Sequence, residues 1–422
     1  MNDHPAWFLL VLAVIVVVCQ AVHVLCRRLG QPVVIGEMVA GVMLGPSLLG
    51  LVAPGVQKAL LPDEVLSVMG VVSQLGLTLF MFTVGLEFSV AHARGGKAVG
   101  AGVSVAGVGV PLALGVGFAY LMHERISLFP DGVPTAVGAV YLGLLLAITA
   151  FTVMARIITD RGLARTRYGT LSLTAGAVDD VCAWVLMALV LAMAGTASSS
   201  GVWLALGGLA VLAAVLILAH RLLERILATR WSKASDGLVV ALVALLAASW
   251  YTDAIGVHAV VGAFALGVVM PRGEVSRKLI RMVRPVTVVL FLPLFFVYSG
   301  LRTDFRVLGS GMVLLASVAL VAVAFVGKFG ACSLTAWMMG ESWADAARIG
   351  VLMNTRGLMQ LIALNVGLQA GLVTPTLFAL IVIVALVTTL CAAPGLSAVD
   401  RLVVRRARRA TRTDSEMAPR SI

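Results

Sequence analysis

Two adjacent carboxylates, Asp179 and Asp180, lie 11 and 12 residues into an apolar stretch that runs from 168 to 194. That depth is the middle of a membrane span, where ionisable groups are expensive and mark ion or proton pathways. Neighbouring residues on a helix point about 100° apart, so one carboxylate can face a cavity while the other pairs with a second helix. A carboxylate held there needs a neutralising partner, either a proton or a dehydrated monovalent cation. Occupancy by one excludes the other, which is the physical basis of exchanging a cation for a proton. Lys328 lies about 18 residues into a second stretch, 310–339, too deep to snorkel to either interface, and one of the aspartates is its natural counter-charge. Arg356 is 11 residues into a third stretch, 345–369, within Asn354-Thr355-Arg356-Gly357. That polar, glycine-containing interruption reads as an unwound segment whose freed carbonyls meet an ion or a second broken helix.

Thr149 and Thr152 stand at the matching depth of a fourth stretch, 134–158, where a small-residue packing face is the bland alternative. Glu37 and Glu87 lie close to the ends of their spans, and interfacial solvation explains them as well as function does. His23 and His258 are lone histidines in apolar segments, better explained by a local hydrogen bond than by chemistry.

The elements that must position these residues follow from composition. The 422 residues are 60% apolar and 12% charged, about half the charged share of a soluble domain. Soluble and disordered classes are therefore excluded, and the five cysteines sit in apolar runs that imply no secreted disulfide framework. A helix needs about 20 apolar residues to cross the hydrocarbon layer. Thirteen stretches qualify, roughly 6–26, 33–50, 66–89, 97–122, 134–158, 168–194, 202–223, 236–252, 256–270, 278–300, 310–339, 345–369 and 375–399. The fold expected is an all-α polytopic membrane domain over 1–399, followed by a short basic tail, 400–422.

Taking alternate loops, 25 of the 31 basic residues fall on one side, including Arg27, Arg28, the Arg156–Arg167 cluster, Arg272–Arg284 and the tail. Lys58, Arg125, Arg302 and Arg306 fall on the other. The positive-inside rule then puts the N-terminus outside and the C-terminus in the cytoplasm, in a cell (plasma or inner) membrane. The net charge of +11 thus records orientation, and no nucleic-acid partner is implied. Neither GxxxxGK[ST] nor GxGxxG occurs, and no loop has room for a nucleotide-binding domain, so transport would be driven by gradients.

The chain also resembles itself. Leu79-Phe80-Met81-Phe82-Thr83-Val84-Gly85-Leu86 aligns with Leu294-Phe295-Phe296-Val297-Tyr298-Ser299-Gly300-Leu301. Glu37…Gly41 has an echo in His258…Gly262, and Leu142-Gly143-Leu144-Leu145 in Ile349-Gly350-Val351-Leu352. Each pair is seven spans apart, an odd number, so the copies (roughly 33–194 and 256–399) are inverted relative to each other. Inverted repeats characterise secondary transporters, with the site near the midplane where broken helices meet.

At these residues the chain resembles the monovalent cation:proton antiporter-2 family, particularly the branch of plant cation/proton exchangers and their bacterial relatives. The resemblance rests on four motifs: Val34-Ile35-Gly36-Glu37 through Gly45-Pro46-Ser47 to Gly50; Ile148-Thr149-Ala150-Phe151-Thr152 to Ile157; Ala177-Val178-Asp179-Asp180-Val181; and Met353-Asn354-Thr355-Arg356-Gly357 to Ile362. Gly327-Lys328 also fits it. It covers 6–399 and implies a homodimer of thirteen-helix protomers, each with a dimerisation domain and a core domain where two broken helices cross. It further implies that Asp180 binds cation and proton, that Asp179 pairs with Lys328, and that the core moves like an elevator. Two departures stand out. Thr152 occupies a position where the family often has proline, implying a milder break, and Gln360 stands where it often has glutamate.

The leading reading is a secondary active Na⁺ or K⁺/proton antiporter, not an enzyme, with no cofactor, and with the lipid bilayer as its surroundings. The alternative is a channel-like K⁺ efflux protein on the same scaffold. An intramembrane aspartyl protease fits poorly, because adjacent aspartates on one helix do not face each other across a scissile bond. Zinc protease chemistry lacks HExxH.

Overall fold

The computed structural model describes residues 4–28, 33–87, 97–194, 207–220 (less 209, 213 and 219), 234–255, 258–271 and 274–417. A few helical side chains, those of Thr152 and Glu87 among them, fall outside that description. In chain order the helices are α1 (His4–Arg28), α2 (Val33–Leu44), α3 (Leu49–Val52), α4 (Pro54–Leu60), α5 (Asp63–Glu87) and α6 (Lys97–Met122). Then come α7 (Thr135–Ala147), α8 (Phe151–Asp160), α9 (Arg167–Ala194), α10 (Ala234–Ala254), α11 (Ala259–Val269) and α12 (Glu274–Val286). The last six are α13 (Leu292–Leu301), α14 (Gly311–Phe325), α15 (Ala331–Met338), α16 (Trp343–Met353), α17 (Leu358–Gln369) and α18 (Pro375–Met417). Among the described residues there is no strand.

Eight described helical segments are long and apolar enough to cross a membrane, and three shorter apolar ones accompany them. Most of the expected spans coincide with them; 202–223 lies largely outside the described residues. Two expectations are corrected. The stretch 33–50 is helical only to Leu44, because Gly45-Pro46 interrupts it and α3 begins at Leu49. The stretch 134–158 is broken outright between α7 and α8 rather than mildly, although no proline is present. Ile148 is extended there (φ −64°, ψ 130°), and the Ala150 amide donates to Thr355 O, 2.9 Å away on another chain segment. A hydrogen bond from outside replaces the one the helix gives up. α18 continues helical beyond the last expected span, through Met417.

Helix packing sorts the chain into two groups. One joins α1, α2, α5, α10, α11, α12 and α13; the other joins α6–α9 and α14–α18. Small residues set the close approaches. A Cβ on Gly300 would lie 2.5 Å from Gly41 C, which brings α13 onto α2, and one on Gly85 would lie 2.4 Å from Phe264 O, which brings α5 onto α11. In the other group, a Cβ on Gly115 would lie 2.5 Å from Gly143 Cα, which draws α6 against α7. Without a hydrophobic force between helices in lipid, such contacts are what membrane helices associate through. The two groups meet through a largely apolar core that includes Phe82, Leu142, Phe264, Phe296, Leu361 and Phe378.

A charged centre at the crossing of two broken helices

Each broken stretch leaves carbonyls at the end of its first half without the amide that a continuing helix would supply. The chain between α7 and α8 runs beside the chain between α16 and α17, joined by the Ala150–Thr355 hydrogen bond. Gly357 makes the second turn possible: its backbone (φ 151°, ψ −119°) is one that glycine alone adopts readily. Thr389 on α18 clamps the same segment, accepting from the Arg356 amide at 3.1 Å and donating to the Arg356 carbonyl.

The positive side chains satisfy the orphaned carbonyls. Lys328 is wholly buried and sits on a widened, π-helical turn, Val326–Gly330; such turns recur at functional positions. Its ammonium has three protons to donate and three acceptors: Asp179 Oδ2 at 2.6 Å, Ala147 O at 2.6 Å and Gly107 O at 2.7 Å. Ala147 O is free because α7 ends there. Gly107 O is free because the residue four positions on is Pro111, which has no N–H. Arg356, also wholly buried, reaches Leu145 O at 3.2 Å and Ala324 O at 3.4 Å, while Gln360 Nε2 shares Leu145 O at 2.9 Å. Both cations therefore lie at the negative pole of the half-helix α7.

Asp179 is fully engaged. Its Oδ1 accepts from Ser104 Oγ at 2.6 Å, and its Oδ2 accepts from Lys328 and from Thr149 Oγ1 at 2.8 Å. Thr149 Oγ1 also lies 3.2 Å from Met353 O at the end of α16, so it touches both sides of the crossing. Asp180, one residue on, is 2% exposed and its Oδ2 has no hydrogen-bond partner. Asn354 Oδ1, Gln360 Oε1 and Arg356 Nε are likewise buried without partners. Oxygen atoms in that condition can take a proton donor or a hard cation. Among the described residues, no cluster of histidine, cysteine and acidic side chains has the makings of a tightly held metal site.

The structure thus brings Asp179, Lys328, Thr149, Asn354, Thr355, Arg356 and Gln360 to one crossing, with Asp180 beside Asp179 on α9. Thr152 belongs to α8, but its side chain lies outside the described residues. Glu37 is elsewhere: it is buried in the other helix group, lining a cavity of about 160 Å³ with Cys19, Gln20 and His23 of α1. Reasoning from sequence missed Ser104, Thr389 and the Gly107 carbonyl. Of these, only the Gly107 carbonyl carried a signal, Pro111 standing four residues on inside an apolar run.

The sodium/hydrogen exchanger, transmembrane family matches residues 10–399. The Na(+)/H(+) antiporter NhaS4 of Synechocystis sp. is 34% identical over 394 residues, covering 92% of this chain and 96% of that protein. Cation/H(+) antiporter 18 of Arabidopsis thaliana is 35% identical over 411 residues; the match covers 94% of this chain and 50% of the plant protein, so this chain spans about half of that relative's length. Among solved structures, the sodium proton antiporter MjNhaP1 from Methanocaldococcus jannaschii superposes with a TM-score of 0.65 at 14% identity, covering 92% of this chain and 95% of that one, a likeness of fold.

Proposed function

The chain belongs to the sodium/hydrogen exchanger family, and from that premise we propose that it exchanges a monovalent cation, Na⁺ or K⁺, for protons across the membrane. Asp180 is the carrier. The observation that supports this most is the unequal state of the two adjacent carboxylates. Asp179 is neutralised by Lys328 and saturated with hydrogen bonds, whereas Asp180 is as deeply buried with an oxygen left over. A bare charge in that position is costly, so Asp180 holds a proton or a cation at any moment, and not both.

In this reading Asp179 and Lys328 form a fixed neutral pair that stiffens the crossing, and Thr149 and Ser104 orient Asp179. Asn354, Thr355 and Arg356 shape the unwound wall. Alternating access comes from one helix group shifting against the other, which an apolar interface permits. The two groups, as the dimerisation and core domains, and the inverted halves 33–194 and 256–399 belong to the same proposal. So do a homodimer, an N-terminus outside, a cytoplasmic C-terminus and a cell-membrane location. The packing of α13 on α2 and of α5 on α11 through paired glycines supports the inverted halves, since the first pair maps onto the second when the copies are exchanged. The relatives are named antiporters, which does not favour the channel-like alternative.

Proteoliposomes at symmetric pH separate the two modes. An antiporter moves cation only with counter-movement of protons, so an imposed K⁺ or Na⁺ gradient acidifies or alkalinises the lumen in proportion. Cation current without a pH change would overturn the proposal.

A further inference from the structure

His258 is the non-glycine residue with a positive φ among the described residues (φ 87°, ψ 138°). A ringed side chain there strains the backbone and persists only where surrounding contacts over-determine it. Those contacts come from three helices. Nδ1 accepts the Val260 amide at 3.4 Å and so caps α11. With Nδ1 an acceptor, the ring proton must be on Nε2. Nε2–H donates to Gln369 Oε1 at 3.1 Å, while Gln74 Nε2 on α5, itself a donor, lies 3.5 Å from the same nitrogen and makes no hydrogen bond to it in this tautomer. Gln369 is the last residue of α17, a 12-residue rod whose other end is the unwound crossing at Gly357.

Gln74 and His258 belong to one helix group and Gln369 to the other. A second hydrogen bond, Asn365 Nδ2 to Ser299 Oγ at 2.8 Å, spans the same divide a turn away. Elsewhere the divide is mostly apolar. We propose that His258 is a positioning residue, a latch that holds the end of α17 to the start of α11 and releases it when the ring takes a second proton.

The release follows from the ring's own bonds. A proton on Nδ1 turns the acceptor of the Val260 amide into a donor, and two donors then face each other. The positive ring also sits at the N-terminus of α11, where the helix dipole opposes it. Around it the charged neighbour is Asp253 on α10, while α5 and α17 contribute the two glutamine amides. The ring leaves its rotamer toward Asp253, Nε2 parts from Gln369, and α17 is freed to move with the crossing. The inference deepens the proposed exchange by adding a pH control to its motion, but the latch can be observed without any transport.

Hydrogen–deuterium exchange of the whole purified protein tests it, reading the amides at the C-terminal end of α17 from about pH 5.5 to about 8.5, either side of the ordinary imidazole value, normalised for chemical exchange. In the wild type those amides should be protected at the alkaline end and exchange about 2- to 10-fold faster at the acid end, the worth of one net hydrogen bond. His258→Asn tolerates positive φ and still caps a helix but is too short to reach Gln369, and Gln369→Leu removes the acceptor. Both should exchange at the fast rate throughout. Wild-type protection that is flat with pH, or variants as protected as the wild type at the alkaline end, would overturn the latch and leave the role of Asp180 untouched.

Discussion

Replacing Lys328 with methionine keeps the length of the side chain and removes its charge. Three acceptors then lose their donor together: Asp179 Oδ2, Ala147 O and Gly107 O, all within 2.7 Å of Nζ. Breaking a buried pair by removing one partner costs about 3–5 kcal/mol, because the remaining charge is left uncompensated. Ser104 and Thr149 soften that cost for Asp179, but nothing replaces the donor at Gly107 O, where Pro111 has removed the helix's own amide. At about 2 °C per kcal/mol for a chain of this size, Lys328→Met should lower the melting temperature of the purified protein by about 6–10 °C. Removing both charges, Asp179→Asn with Lys328→Met, leaves two neutral groups of nearly native shape and should recover at least half of that loss. Melting curves followed by tryptophan fluorescence or by size exclusion after heating give both numbers. If the single variant melts with the wild type, or the double variant melts no higher than the single, Asp179 and Lys328 are not a stabilising unit and the division of labour between the aspartates is wrong.

Thr149→Val preserves shape while stripping one donor from Asp179 and the contact to Met353 O; a loss of about 1–3 kcal/mol is expected, read as a lower melting temperature, and unchanged melting would contradict the bonding described. Gly300→Ala drives a Cβ to within 2.5 Å of the Gly41 backbone, so overpacking of about 1–3 kcal/mol is expected, and thermal stability equal to wild type would show that α2 and α13 are not held that close. Asp304 caps the turn Phe305–Gly309, and its hydrogen bonds with the Arg306 side chain hold its carboxyl below the ordinary value. A depressed carboxyl stabilises above the unfolded value and loses that contribution as the pH falls through the folded one, so Asp304→Ala should melt lower than wild type at neutral pH, by about 1 kcal/mol for the cap, and the two should converge in acid. A difference that persists or widens in acid would reverse the sign.

Much of the site was legible because buried charge is conspicuous. Asp179, Asp180 and Lys328 stood out in apolar stretches, and the cost of leaving them unpaired predicted the contact of Lys328 with one of the two aspartates. Asn354 to Gly357 announced a break through polarity and glycine together. The break at 148–150 carried no such mark, since Ile148, Thr149 and Ala150 are ordinary helix residues; what stops the helix is a hydrogen bond to Thr355, over two hundred residues away in sequence. Ser104 and Thr389 were invisible for the same reason: an isolated hydroxyl in an apolar helix acquires meaning only from the backbone packed against it. The break after α2 at Gly45-Pro46 is visible in the sequence, yet hydropathy outweighs the turn signal in the expectation of one span over 33–50. His258 read as a residue satisfied locally. Its cap to Val260 is local, but its bond to Gln369 joins helices far apart in the chain.

Asp180 as the shared carrier of cation and proton is the claim on which the rest depends, and proton release measures it most directly. Protein reconstituted in liposomes with a pre-formed pH gradient and a lumenal pH dye should collapse the gradient on addition of Na⁺ or K⁺. Asp180→Asn, nearly isosteric but unable to ionise, is expected to abolish the response to both ions while melting close to wild type. An Asp180→Asn protein that collapses the gradient at the wild-type rate would contradict the assignment and move the exchange site to another group.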